Sequence, residues 1–341
     1  MNESELDLEK KSKRIYWIDH ARGFIMIWLV ITMFLPTWLR EGPFRFFLEH
    51  PENDTTTHIM NLFDVGAPAF IFLMGFLMPL SFFKRKESDG VKKAVTHIVI
   101  RYGIILVLGL IGVYIVQGAL LKIVNHMPII CWDVLPTLGS VGLIALPFLW
   151  LKPKIRAIIA SLMLLFYQIM LDISGWRDYA IASIHGGILG TLFGFSAIMI
   201  YSTCLGEFLL INKDYSEMQK YKFYIIIGLI SFIGGLLIVL IPGWYPNKRQ
   251  VTLSYILISL GTSILLSFFF IALDKKMQKP IFGLDSYGKS PFIIYIFAGG
   301  VHFLIVDIIG FKLDLFIGIL MMIIITAIAL ILDKYGKIIK L

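Results

Sequence analysis

Charge is what this sequence has least of. Of its 341 residues only 16% are Asp, Glu, Lys or Arg, against about a quarter in soluble globular chains. That scarcity excludes a disordered chain, which needs high charge and few apolar residues to stay solvated. Cysteine is nearly missing as well. Cys131 and Cys204 each sit in or beside an apolar stretch and show no C-x-x-C spacing. A disulfide scaffold is excluded, and a single disulfide is neither required nor ruled out. Walker A, H-E-x-x-H and G-x-S-x-G patterns are absent, as is the glycine spacing of a dinucleotide fold. The longest hydrophilic stretch, 39–60, is too short for a soluble domain.

What is present is apolar surface. Hydrophobic residues make up 58% of the chain and the mean hydropathy is +0.82. Runs of about 20 apolar residues alternate with short basic segments, the pattern of helices that cross a bilayer. The expected fold is an all-α, polytopic transmembrane helix bundle. Its spans are predicted at roughly 15–38, 61–83, 96–118, 130–151, 155–172, 186–211, 222–242, 252–273, 290–310 and 313–333. The first run carries Asp19, His20 and Arg22 and lacks a small-x-small cleavage pattern, so it reads as a retained helix and not a signal peptide. The expected organisation is a cytoplasmic segment 1–14 followed by one transmembrane domain over 15–341.

The basic residues orient that bundle. With the N-terminus placed inside, 21 of the 31 Lys and Arg residues fall in inner segments. Seven fall outside: Arg40, Arg45, Lys122, Arg177, Lys248, Arg249 and Lys312. Arg22, Arg101 and Lys289 lie at or within span ends. An excess that alternates with each span follows the positive-inside rule and puts both termini in the cytoplasm. The net charge of +8 is then mostly topology, and nucleic acid is not expected as a partner. The expected host is a bacterial cytoplasmic membrane, with a homodimer left open.

Polar groups near span ends are the candidates for chemistry. A charge at the bilayer centre costs roughly 2.5–3.5 kcal/mol on insertion scales, so such groups usually face protein. On the outer side are His50 and His58 in the first loop, Asp64 opening the second span, Asp133, His185, and Asn247 with Lys248. On the inner side are Asp19, His20, Arg22 and Arg101. A histidine with carboxylates outside and arginines inside suits a two-substrate reaction across a membrane. The inner residues fit equally well as headgroup-layer or snorkelling side chains. A loop histidine such as His126 is ordinarily just solvated. Gly190 and Gly194 form a G-x-x-x-G of the kind that packs helices.

Several segments together resemble a known family. Asp64 to Gly75 reads D-V-G-A-P-A-F-I-F-L-M-G and is similar to the D-L-V-F-P-W-F-x-F-x-x-G stretch of the heparan-α-glucosaminide N-acetyltransferase family. Arg22-Gly23 resembles the R-G of that family's first helix, and Arg101 with Gly109 its R-x7-G. The segments at 134–139, 187–191 and 245–255 follow in order, the last bringing Asn247, Lys248, Ser254 and Tyr255 into register. Gly288 to Tyr295 resembles the start of a late span. Position 54, where the family places its catalytic histidine, is Asp54, with His50 and His58 on either side.

The resemblance implies a transmembrane acyltransferase of the wider acyltransferase-3 and YeiB-like superfamily. Acetyl-CoA would be the cytoplasmic donor, with no metal, and a glycan or glycolipid amine or hydroxyl the acceptor. His58 or His50 would be catalytic, oriented by Asp64. Arg22 and Arg101 would hold the CoA phosphates, and Asn247, Lys248, Asp133, Tyr255 and His185 would bind the acceptor. A transporter or flippase, or a non-catalytic membrane subunit, are the readings from other classes.

Overall fold

A computed structural model describes residues 15–36, 39, 60–114, 132–183, 185–277 and 279–336. The described residues are mostly helical, with no strand among them, and eight helices are long and apolar enough to cross a membrane. Two shorter apolar segments, Val134–Trp150 and Pro291–Val306, match the remaining predicted spans. The chain is thus a polytopic helical membrane protein.

The helices, in chain order, are α1 (Tyr16–Phe34), α2 (Gly66–Asp89, entered through a tight turn Leu62–Val65), α3 (Val91–Val113) and α4 (Val134–Ala145, tightening into Leu146–Trp150). Next come α5 (Pro153–Ile173), the short α6 (Trp176–Ala182), α7 (Gly187–Leu210) and α8 (Glu217–Ile238). The last are α9 (Leu253–Met277), the short α10 (Leu284–Lys289), α11 (Pro291–Phe303) and α12 (Leu315–Lys334). The chain divides after Leu35 and after Leu265 into two compact units. One holds α1, the end of α9, and α10 to α12. The other holds α2 to α8 and the start of α9.

Several boundaries depart from the hydropathy pattern for identifiable reasons. α2 runs on through Lys84–Asp89, because Lys, Arg and Glu are good helix formers, and stops where Gly90 turns to φ +86°. α8 starts at Glu217, five residues before the apolar run. There Ser216 and Gln219 form a reciprocal capping box, the Gln219 carboxamide accepting the Ser216 N–H at 2.9 Å. Asp133 caps α4 by accepting the Val134 N–H at 2.7 Å, and Asp314 caps α12 by accepting from Ile317 at 2.8 Å. The short α6 and α10 are too small for a periodic pattern to announce.

In the larger unit α2 lies against α7 with almost no side chain between them. A Cβ on Gly75 would sit 1.9 Å from Ser202 Oγ, and one on Gly206 would sit 2.0 Å from the Phe76 carbonyl. Small residues at such crossings let backbones approach where lipid supplies no hydrophobic drive for association. Gly139 and Gly142 play the same part between α4 and α3, against Leu106 and the Tyr102 ring. Around this centre the exposed faces are apolar: Ile100 and Val107 on α3, Ile158 and Leu162 on α5, Ile230 and Leu237 on α8. Those faces suit contact with acyl chains.

Candidate active site

Asp64 is the carboxylate at the mouth of α2. The turn Leu62–Val65 buries it to 7% exposure, and its Oδ2 accepts the Asn61 N–H at 3.0 Å. Its Oδ1 lies 3.1 Å from Lys248 Nζ, with the two side chains 4% and 12% exposed. Its own carbonyl accepts the Tyr255 hydroxyl at 2.8 Å. Segments separated by nearly two hundred residues of sequence therefore converge on one carboxylate. A buried ion pair of this kind costs desolvation on both sides and is weak evidence for stability alone. Such a pair sets a carboxylate beside a positive charge.

Lys248 sits on an irregular segment between α8 and α9 that is pinned throughout. Asn247 Oδ1 accepts the Gln250 N–H at 2.9 Å, and the Asn247 N–H donates to Thr252 Oγ1 at 3.0 Å. Thr252 donates in turn to the Tyr245 carbonyl at 2.8 Å, and Ser254 to that of Trp244 at 2.6 Å. From α5, Tyr167 donates to the Gln250 carbonyl at 2.9 Å, and Gln168 accepts the Leu253 N–H at 2.9 Å. Loop backbone that cannot reach water has to find partners of this sort. Asn247 is thus committed to shaping the turn that presents Lys248.

The other residues singled out in the sequence divide. His185, itself at φ +51°, faces Asp133 with Nε2 3.8 Å from Oδ1. Arg101 lies half-buried on α3, its guanidinium 5.6 Å from the Tyr102 ring centre. Arg22 belongs to the smaller unit, half-buried on α1. His50, His58, His126 and Cys131 lie outside the described residues. The structure thus gathers Asp64, Lys248 and Tyr255 at one place and Asp133 with His185 at another.

The structure shows two further buried polar centres, of which the sequence singled out His20 but not Arg156, Glu207 or Asp285. Arg156, fully buried on α5, donates to the Leu151 carbonyl at 3.1 Å, to Thr203 Oγ1 at 3.0 Å and to the Glu207 carboxylate. Counting it among inner loop charges hid it; a lone glutamate in the apolar run of α7 was the available signal. In the smaller unit His20 and Asp285 pair at 2.9 Å, both almost wholly buried. There Gly288 lies on the Asp19 carbonyl and Gly23 on that of Leu284, so α1 and α10 meet backbone to backbone. Lys289 and Ser286 both bind the Asp333 carboxylate, at 2.7 and 2.9 Å.

The resemblance to the heparan-α-glucosaminide N-acetyltransferase and YeiB-like proteins does not hold. The family whose model matches is GWT1, over residues 55–290, more than half of the chain. The segments behind the resemblance are short, apolar and glycine-bearing, a composition that helix packing imposes on many membrane proteins. The match contains Asp64, Lys248 and Tyr255 and leaves out Arg22 and His50. Among curated proteins none matches the chain significantly. A match over more than half of a polytopic helical chain shows that the chain belongs to the GWT1 family of membrane acyltransferases.

Proposed function

We propose that this protein transfers an acyl group from acyl-CoA to a ring hydroxyl of a lipid-linked inositol headgroup, with Asp64 and Lys248 as the reacting pair. The observation that carries the reading is the 3.1 Å contact between two nearly buried, oppositely charged side chains within the matched region. The inositol acceptor is taken from the activity of the family; the donor is the thioester expected for such chemistry, with acetyl-CoA as one small form.

The acceptor hydroxyl oxygen attacks the thioester carbonyl carbon, so a C–O bond forms and the C–S bond breaks. The hydroxyl proton passes to the Asp64 carboxylate, directly or through His58 or His50 from the segment just before it. The Lys248 ammonium stabilises the negative oxygen of the tetrahedral intermediate. CoA leaves as the thiolate and takes up the proton held at the base. Tyr255 holds the Asp64 backbone through its hydroxyl. Asp133 and His185 are assigned to the acceptor side, and Arg101 to the CoA phosphates, whose geometry guanidinium groups match. Cytoplasmic termini, favoured by the charge bias, complete the proposal.

The test uses purified protein in nanodiscs with radiolabelled acetyl-CoA or palmitoyl-CoA and glycosylated phosphatidylinositol lipids. Label is expected in the lipid in an ester that mild alkali releases. Label that stays in CoA, or enters free acid alone, with every acyl-CoA tried contradicts the proposal.

A further inference from the structure

Val251 is the least expected residue in the loop that carries Lys248. It is fully buried and adopts φ +56°, a left-handed conformation that a β-branched side chain tolerates poorly. Backbone strain of this order persists only where the surroundings over-determine it, and it gathers at functional sites. Here the surroundings are three glycines. A Cβ on Gly186 would lie 2.6 Å from Val251 Cγ2, one on Gly190 3.0 Å from the same methyl, and one on Gly194 2.5 Å from Cγ1. Spaced four apart, these glycines cut a groove along the start of α7, and the valine methyls fill it. The G-x-x-x-G in this segment receives a loop residue here.

The loop is also gripped from outside. The Trp244 indole donates to Asp172 at 2.8 Å, and Arg177 donates to the Gln250 side chain at 2.8 Å. These contacts fix the loop's course, yet none touches Lys248. The valine, three residues on from the lysine, is a packed side chain that keys the loop into α7.

We propose that Val251 is a positioning residue: seated in the Gly186–Gly190–Gly194 groove, it sets where the Lys248 ammonium stands against Asp64. The inference rests on the Asp64–Lys248 reading of the site. It also explains why a strained valine occupies a position where glycine or asparagine would be easier. Emptying the groove of the valine methyls would let the stretch that carries Lys248 shift against Asp64 within the limits its hydrogen bonds set.

The test is a size exchange read by steady-state acyl transfer to glycosylated phosphatidylinositol lipids. Gly194→Ala puts a methyl 2.5 Å from Val251 Cγ1. The loop must shift, and kcat is expected to fall roughly a hundredfold, the scale of an ångström-sized misplacement, with KM for acyl-CoA changed less than about threefold. Gly194→Ala with Val251→Ala removes the clashing methyl, and the nearest remaining side-chain atom is then the residue-251 Cβ at 3.6 Å. The double variant is expected to recover at least tenfold of the lost kcat. Melting temperature and gel-filtration profile normalise each rate to folded protein. If Gly194→Ala does not fold, Val251→Ala alone carries the test, with kcat expected about tenfold down and KM unchanged. Wild-type kcat in folded Gly194→Ala or Val251→Ala, or a double variant no faster than Gly194→Ala, overturns the inference. Lys248→Met is assayed in parallel. If it turns over at the wild-type rate, the underlying site reading has failed, whatever the valine does.

Discussion

Removing either partner of the Arg156–Glu207 pair strands the other, and the two losses are expected to differ. The arginine side chain is 1% exposed and the glutamate 24%. Glu207→Leu therefore leaves a cation with no water, held only by the Leu151 carbonyl and the Thr203 hydroxyl. Stranding a buried charge in this way costs about 3–5 kcal/mol. Arg156→Met leaves a carboxylate that water reaches, together with two neutral groups lacking a donor. That loss should be nearer 2 kcal/mol, the range for unmet buried polar groups. Arg156→Met with Glu207→Leu removes both charges and fills the space with methylenes, so it should be milder than Glu207→Leu alone. The assay is unfolding by SDS titration in mixed micelles, followed by tryptophan fluorescence. Equal losses for the two single variants, or a double variant as unstable as their sum, would refute the reasoning.

Further outcomes follow from other contacts. Tyr255→Phe deletes the bond to the Asp64 carbonyl; activity should fall about tenfold while unfolding stability drops by little more than one hydrogen bond, about 1 kcal/mol. Gly206→Ala drives a methyl into the Phe76 carbonyl, a backbone atom with no room to retreat. The folded yield after extraction should collapse, whereas Gly234→Ala, with open space around it, should extract like the parent. In the smaller unit Asp285→Asn removes the carboxylate from His20; a lower melting temperature is expected, and His20→Ala on top of it should cost less than His20→Ala alone.

What the sequence could show depended on whether the signal was a residue type or a geometry. The spans were legible because hydropathy over twenty residues is a bulk property. Their ends were less so, since Lys84–Asp89 is polar yet helical and the Ser216–Gln219 cap precedes the apolar run. Asp64 was legible as a carboxylate opening an apolar helix. Its meeting with Lys248 was not, because nothing local links positions so far apart. Both residues stood in the segments that suggested the wrong acyltransferase family, so the general idea of a membrane acyltransferase carried over while the relationship did not. Val251 gave no signal at all: valine is an ordinary core residue, and a positive φ leaves no mark on residue type. Arg156 was hidden by its neighbours, Lys152 and Lys154, which made a buried cation look like one more loop charge.

The central claim is that the Asp64–Lys248 pair performs acyl transfer, and Asp64→Asn tests it most directly. The substitution keeps shape and the Asn61 contact while removing the charge that faces Lys248. In nanodiscs with labelled acyl-CoA and glycosylated phosphatidylinositol, the folded Asp64→Asn protein should lose at least a hundredfold in turnover. Asp64→Asn protein that acylates the lipid at the wild-type rate would contradict the account.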